Sequence, residues 1–113
     1  MNGLIIKPYW IEKIFNENKL WEIRGNNTKI RGEIFLIASG TKMIVGKCEL
    51  IDSIYLDEVS YKLNQDKHKI DTEKIKYPYK KTYAWVLKNP VIFEKPIPYA
   101  HPQGAVIWVK DLK

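Results

Sequence analysis

The chain has 113 residues, 45% hydrophobic and 28% charged, with a formal net charge of +6 and a pI of about 9.3. That composition fits one soluble globular domain over 1–113, and no apolar run approaches the roughly 20 residues needed to cross a bilayer. The excess of base favours anionic partners, nucleic acid first, although +6 is also within the range of ordinary solubility charge.

Gly3-Leu-Ile-Ile6 reads as a short strand. The apolar patch of Met1–Lys7 is too short for a signal-peptide core, so an intracellular, cytoplasmic protein is expected. Pro8 suits the first position of a helix, where its missing N–H is no loss. Trp10, Ile11, Ile14 and Phe15 then recur at helical spacing, which predicts an amphipathic helix from Pro8 to about Glu17 with Asn18 as a left-handed cap. Leu20 to Arg24 is expected to be extended, and Gly25-Asn-Asn-Thr28 to turn. Arg31-Gly32 leads into Glu33–Ala38, a near-continuous apolar strand of the kind buried on both faces. Ser39–Lys42 is a hairpin loop, and Met43–Ile54 a long strand in which Gly46 marks a bend or a close backbone approach. Leu56–Leu63 is predicted as a short helix with Val59 and Leu63 on one face. Asn64–Lys81 carries the least structure, with Asp71 able to cap a short helix through Ile75. Thr82–Leu87 is a strand, Asn89-Pro90 a turn, and Val91–Phe93 resumes the strand. Lys95–Pro98 is extended, with prolines that bar it from a central position. Tyr99–Gly104 is a loop and Ala105–Val109 a closing strand. Several evenly spaced strands with one or two helices predict a small, partly closed β-barrel.

Three constellations can carry chemistry. In Lys19-Leu-Trp-Glu-Ile-Arg24, a lysine, a glutamate and an arginine stand close enough to perturb one another. Strand alternation puts Glu22 and Arg24 on one face, with Trp21 and Ile23 opposite. Lys19 is out of phase, so it joins Glu22 only from the turn that leaves the helix. In a cleft, Lys19 and Arg24 would hold a phosphate or polarise a carbonyl, with Glu22 as base or orienting partner; a solvated ion pair beside a buried Trp21 is the plainer alternative. The second constellation sets Tyr77, Tyr79, Tyr83 and Trp85 among Lys74, Lys76, Lys80 and Lys81. Aromatics interleaved with lysines suit base stacking with backbone attraction, although Tyr83 and Trp85 also read as core. The third is His101-Pro-Gln-Gly104, where a structural histidine competes with an acid–base one. The single Cys48 reads as a small core residue. His68 and His101 lack metal-ligand spacing, so no metal and no cofactor is expected.

Lys19-x-x-Glu22-x-Arg24 resembles the signature of the ASCH domains (activating signal cointegrator homology) of the PUA-like superfamily. The family pattern is Gly-x-Lys-x-x-Glu-x-Arg, and Glu17 stands at its glycine position. Lys7-Pro-Tyr, Arg31-Gly32, Gly46, Tyr83-Ala-Trp-Val-Leu87, Asn89-Pro90 and His101-Pro-Gln-Gly-Ala-Val-Ile-Trp108 are similar to bacterial members. The resemblance implies an α+β fold, a PUA-like barrel of five to six mostly antiparallel strands with two to three flanking helices. It also implies a cleft lined by Lys19, Glu22 and Arg24, and binding of RNA or another nucleic acid. Together with the residue patterns it nominates Lys19, Trp21, Glu22, Arg24, Arg31, Ser39, Tyr83 and Trp85 as ligand-binding in a monomer that takes RNA, a nucleotide or a nucleoside. Some members resembling this chain are amidohydrolases of acetylcytidine, and one type is a ribonuclease. If the chain is an enzyme, Lys19 and Glu22 are its catalytic candidates. The amidohydrolase type carries a threonine where this chain has Glu22, and Ser39 or Thr41 would have to supply the hydroxyl.

Overall fold

The computed structural model describes residues 1–112. The chain runs β1 (Gly3–Ile6), α1 (Pro8–Asn16), β2 (Trp21–Arg24), β3 (Gly32–Ala38), β4 (Met43–Leu56), α2 (Glu58–Leu63), α3 (Gln65–His68), β5 (Thr82–Pro98) and β6 (Trp108–Val109). The strands form one mixed sheet in the order β2-β5-β4-β3-β1-β6. β1 and β3 run parallel with α1 in the connection between them, and the other ladders are antiparallel.

The expected barrel is corrected to an open sheet: β2 and β6 lie at its two ends and share no ladder among the described residues. Side chains bridge the gap instead. Arg24 on β2 donates from Nη2 to the Ile5 carbonyl on β1 at 2.9 Å. Trp85 on β5 stacks on Trp108 of β6, with ring centroids 5.6 Å apart. The sheet therefore curls until its two ends face each other, but β2 and β6 are too short to pair their backbones.

The alternation of β3 explains its burial. Ile34, Leu36 and Ala38 enter the main core with Ile11 and Ile14 of α1, Leu50 and Trp85. Ile37 enters a second cluster with Ile44 and Val109 on the other face. Cys48 is in the main core, where burial pushes its thiol up to about 12.

Several expectations change or sharpen. In α2, Val59 and Leu63 are 64% and 76% exposed, and Tyr61 is the buried residue. Asp57 caps that helix, accepting from the Ser60 N–H at 2.7 Å, and so sets a phase that turns Tyr61 inward. The stretch after α3 holds no helix or strand, as expected, but it is pinned: the hydroxyls of Tyr61 and Tyr77 donate to the Ile75 and Leu56 carbonyls at 2.7 and 2.6 Å. Asp71 caps only a turn, accepting from Glu73 N–H. Asn89-Pro90 does not end a strand either. Asn89 adopts φ 53° and the β4–β5 register shifts there, so the extra residues form a bulge inside one long β5. Because β2 pairs only with Tyr83–Val86, the proline-bearing end of β5 has a single neighbour, as its prolines require. The closing strand is shorter than expected, beginning only at Trp108.

Gly46 lies at another β4–β5 register shift, and a Cβ there would collide with the Phe15 ring and the Val91 carbonyl. Gly46→Ala is expected to lower stability by about 1–3 kcal/mol, because a backbone oxygen cannot yield as a side chain can. Chemical denaturation of the variant measures it, and an unchanged midpoint would contradict the close approach.

Candidate functional site

The Lys19 side chain reaches Glu22 from the turn, as the alternation requires. Asn18 adopts φ 57° after α1, and the Lys19 N–H donates to the Lys13 carbonyl at 3.0 Å. The left-handed residue turns the chain so that Lys19 points at the face shared by Glu22 and Arg24. The ion pair is not solvated: Lys19 is 2% and Glu22 5% exposed.

The Lys19 ammonium donates to the main-chain carbonyls of Trp21 at 2.7 Å and His68 at 2.6 Å. It stands 3.7 Å from Glu22 Oε1 and 4.7 Å from the centroid of the Trp10 ring. The other carboxylate oxygen of Glu22 receives Arg24, with Nε and Nη2 each at 2.9 Å. One buried acid thus serves two cations. Burial lowers the Lys19 pKa to about 8, against the upward pull of Glu22, and Arg24 lowers it further. Arg24 is also held over the Trp85 ring, 5.6 Å from its centroid. Its Nη1 makes no hydrogen bond among the described residues and is the free donor of the cluster.

His68 fixes the carbonyl that Lys19 needs. The Ile70 N–H donates to His68 Nδ1 at 3.0 Å, so that nitrogen carries no proton, and Nε2 donates to the Tyr61 carbonyl at 2.7 Å. The ring is fully buried and stacks on Tyr61. Burial, followed by the Lys19 charge, lowers its pKa, which keeps the imidazole neutral.

Lys19, Glu22 and Arg24, with Ile5, Ile23, Ile70 and Val106, line a cleft of about 270 Å³ beside the gap that Arg24 spans to Ile5. Lys7 and Trp10 from the start of α1, Ser39 from the β3–β4 loop and Tyr79 from the pinned loop complete it. Residues 4–97 match the model of the ASCH domain.

The chain belongs to the ASCH domain family. Among solved structures it is similar to the ASCH protein of Zymomonas mobilis. A serine-to-alanine variant of that protein superposes with a TM-score of 0.77 at 15% identity, covering 96% of this chain and 85% of the other. Another structure of it, described only as ASCH from that organism, gives 0.69 at 16% identity, covering 86% and 72%. At such identity the likeness concerns the fold. No curated protein matches the chain.

Within this ASCH domain the nominated residues divide. Lys19, Glu22, Arg24 and Ser39 line the cleft. Thr41 is committed elsewhere, its hydroxyl donating to the Ala38 carbonyl and accepting from Met43 N–H. Trp21 lies on the opposite face of β2, in a core with Ile23, Leu56 and Tyr61. Tyr83 packs at the edge of the Tyr55 ring. Arg31 does not reach the cleft; it braces its own loop through the Thr28 and Ile30 carbonyls, each at 2.8 Å, and extends to Asp52. Trp85 is core, and its indole N–H donates to the Asn26 carbonyl at 2.9 Å, anchoring the turn after β2. His101 is bonded within its own loop, to the Tyr99 hydroxyl and the Ala105 carbonyl. Among the described residues no group of His, Cys, Asp and Glu can hold a metal, and no helix is long and apolar enough to cross a membrane.

Lys7, Trp10 and His68 enter the site without having been nominated. Trp10 sits on the helical stripe and read as core. Lys7 and His68 lie 12 residues before and 49 residues after Lys19, so only the fold brings them to it.

Proposed function

We propose that this ASCH domain binds RNA, or a nucleotide derived from it, in the Lys19–Glu22–Arg24 cleft. The observation that carries this reading is a buried carboxylate shared by two cations at the floor of a cleft walled by Trp10 and Tyr79. The cations outnumber the acid, and Lys7 at the rim adds a third, so an anion gains on entry. The free Nη1 of Arg24 suits a phosphate or a base edge, and Glu22, with lone pairs to spare, suits an amino or hydroxyl donor. Trp10 and Tyr79 offer faces to a base. A cleft of about 270 Å³ is at the small end of ligand sites and suits a single nucleotide. The fold is read as PUA-like, the superfamily implied by the signature.

Binding of a single-stranded RNA, followed by fluorescence anisotropy, is expected to weaken steeply between about 50 and 200 mM salt. Salt-independent binding, or none at low salt, would sink the proposal.

A hydrolase acting on a modified nucleoside or on RNA is the second reading. It draws support from the lowered Lys19 pKa and from Ser39, which lines the same cleft. Against it, Lys19 already donates to two main-chain carbonyls and stands 3.7 Å from Glu22 Oε1, so its amine is taken up by protein groups. Incubation with acylated nucleosides and structured RNA separates the readings: turnover lost in Lys19→Ala or Ser39→Ala supports the enzyme, and absent turnover leaves binding alone.

A further inference from the structure

We propose that the cleft is the middle of a track that takes a single-stranded RNA of about three nucleotides, with a flanking subsite on each side. The proposal rests on the nucleic-acid reading above and adds the length and form of the ligand.

Two further hollows adjoin the cleft. One, of about 360 Å³, shares Ile5, Ser39 and Val106 with it and is walled by Lys42, Tyr99 and His101. The other, of about 420 Å³, shares Arg24 and Tyr79 with it and is walled by Lys80, Lys81 and Trp85. Shared side chains make the three direct neighbours, with the signature residues in the middle.

The charge of the chain is gathered there. Of nineteen basic and thirteen acidic side chains, six basic and one acidic line the three hollows: Lys7, Lys19, Arg24, Lys42, Lys80 and Lys81 against Glu22. The other thirteen basic and twelve acidic side chains of the sequence nearly cancel, so the track holds most of the net charge of +6. A fourth hollow, at Lys62, Thr72, Glu73 and Lys76, shares no lining residue with the others and mixes both signs.

Each hollow of the track pairs at least one cation with an aromatic ring: Tyr99 with Lys42, Trp10 with Lys7, and Tyr79 with Lys80. A ring for each base and a cation for each phosphate is the arrangement that holds an unpaired strand. A duplex keeps its bases stacked inside and cannot place them in three separate hollows. His101, clasped between Tyr99 and the Ala105 carbonyl, holds the loop that carries the Tyr99 end.

The test compares the four 5′-mononucleotides with the four RNA homotrinucleotides by calorimetry at low salt. The best trinucleotide is expected to bind at least tenfold tighter than its mononucleotide. Lys42→Gln with Tyr99→Ala, and separately Lys80→Gln with Lys81→Gln, should each weaken the trinucleotide at least threefold and leave the mononucleotide unchanged. Lys62→Gln with Lys76→Gln removes from the fourth hollow the two charges that the Lys80–Lys81 variant removes from the track, and should change neither; thermal unfolding confirms that each variant is folded. Equal affinity for the two lengths, or equal loss in the Lys62–Lys76 variant, would overturn the track while leaving the cleft reading intact. Failure of both lengths to bind would remove both.

Discussion

Glu22→Gln is expected to lower the melting temperature by roughly 10–20 °C, the largest effect of any single cleft substitution. The carboxylate is the only acid lining the cleft among the described residues, with Arg24 Nη2 at 2.9 Å and Lys19 Nζ at 3.7 Å. Glutamine keeps the shape and removes the charge. Two cations then face each other with no counter-charge in a site from which water is largely excluded. Breaking a buried pair in this way costs about 3–5 kcal/mol. Arg24 is partly exposed, so the lower end, about 3 kcal/mol, is expected here, which converts to the stated shift for a domain of this size. Adding Lys19→Met should recover part of the loss, because one unpaired cation is easier to accommodate than two. Thermal unfolding of the single and double variants at pH 7 measures both effects. A shift of only a degree or two, or no recovery, would show that Glu22 does not hold the two cations.

Lys19→Met should change the pH dependence of stability and weaken RNA binding severalfold, because it removes one of the charges that draw an anion to the cleft. The sign follows from proton binding. Lys19 has a folded pKa of about 8, below its ordinary 10.5. Between those values the unfolded chain binds more protons than the folded one, so Lys19 makes stability rise with pH across that window. The cost of burying the ammonium is fully present below about pH 8 and is relieved above it. Cys48, raised to about 12 from 9.0, and Tyr61, raised to about 12 from 10.0, act in the opposite direction. The comparison therefore needs the variant: wild type minus Lys19→Met should rise from pH 8 to 10.5. Denaturant unfolding at half-unit steps measures it, and a flat difference would contradict the burial of a charged Lys19.

Local chemistry was legible where it acts over a few residues. Pro8 started α1, Asn18 ended it in the left-handed region, and the alternation of β2 put Glu22 and Arg24 on one face with Lys19 arriving from the turn. What joins distant segments was not legible. Nothing around His68 announces that its carbonyl will meet Lys19, because that contact depends on where α3 docks against β2. Trp10 has the spacing of a core residue, and its place beside the Lys19 ammonium appears only once α1 has docked on the sheet. Val59 and Leu63 misled for a similar reason: at helical spacing they form an apolar stripe, but the Asp57 cap and the Tyr61 hydroxyl bond decide which face turns inward. The barrel failed on length, since closure needs ladders that a four-residue β2 and a two-residue β6 do not supply. That same failure leaves the gap beside which the cleft sits.

The most direct test of the cleft is a titration of the ¹⁵N-labelled protein with a short single-stranded RNA, followed at the side-chain nitrogens of Arg24 and Trp10. The Arg24 guanidinium and Trp10 indole signals should shift saturably with the same affinity that anisotropy reports. Saturable RNA binding that leaves both unmoved, with shifts confined to the face around Lys62 and Lys76, would contradict the account.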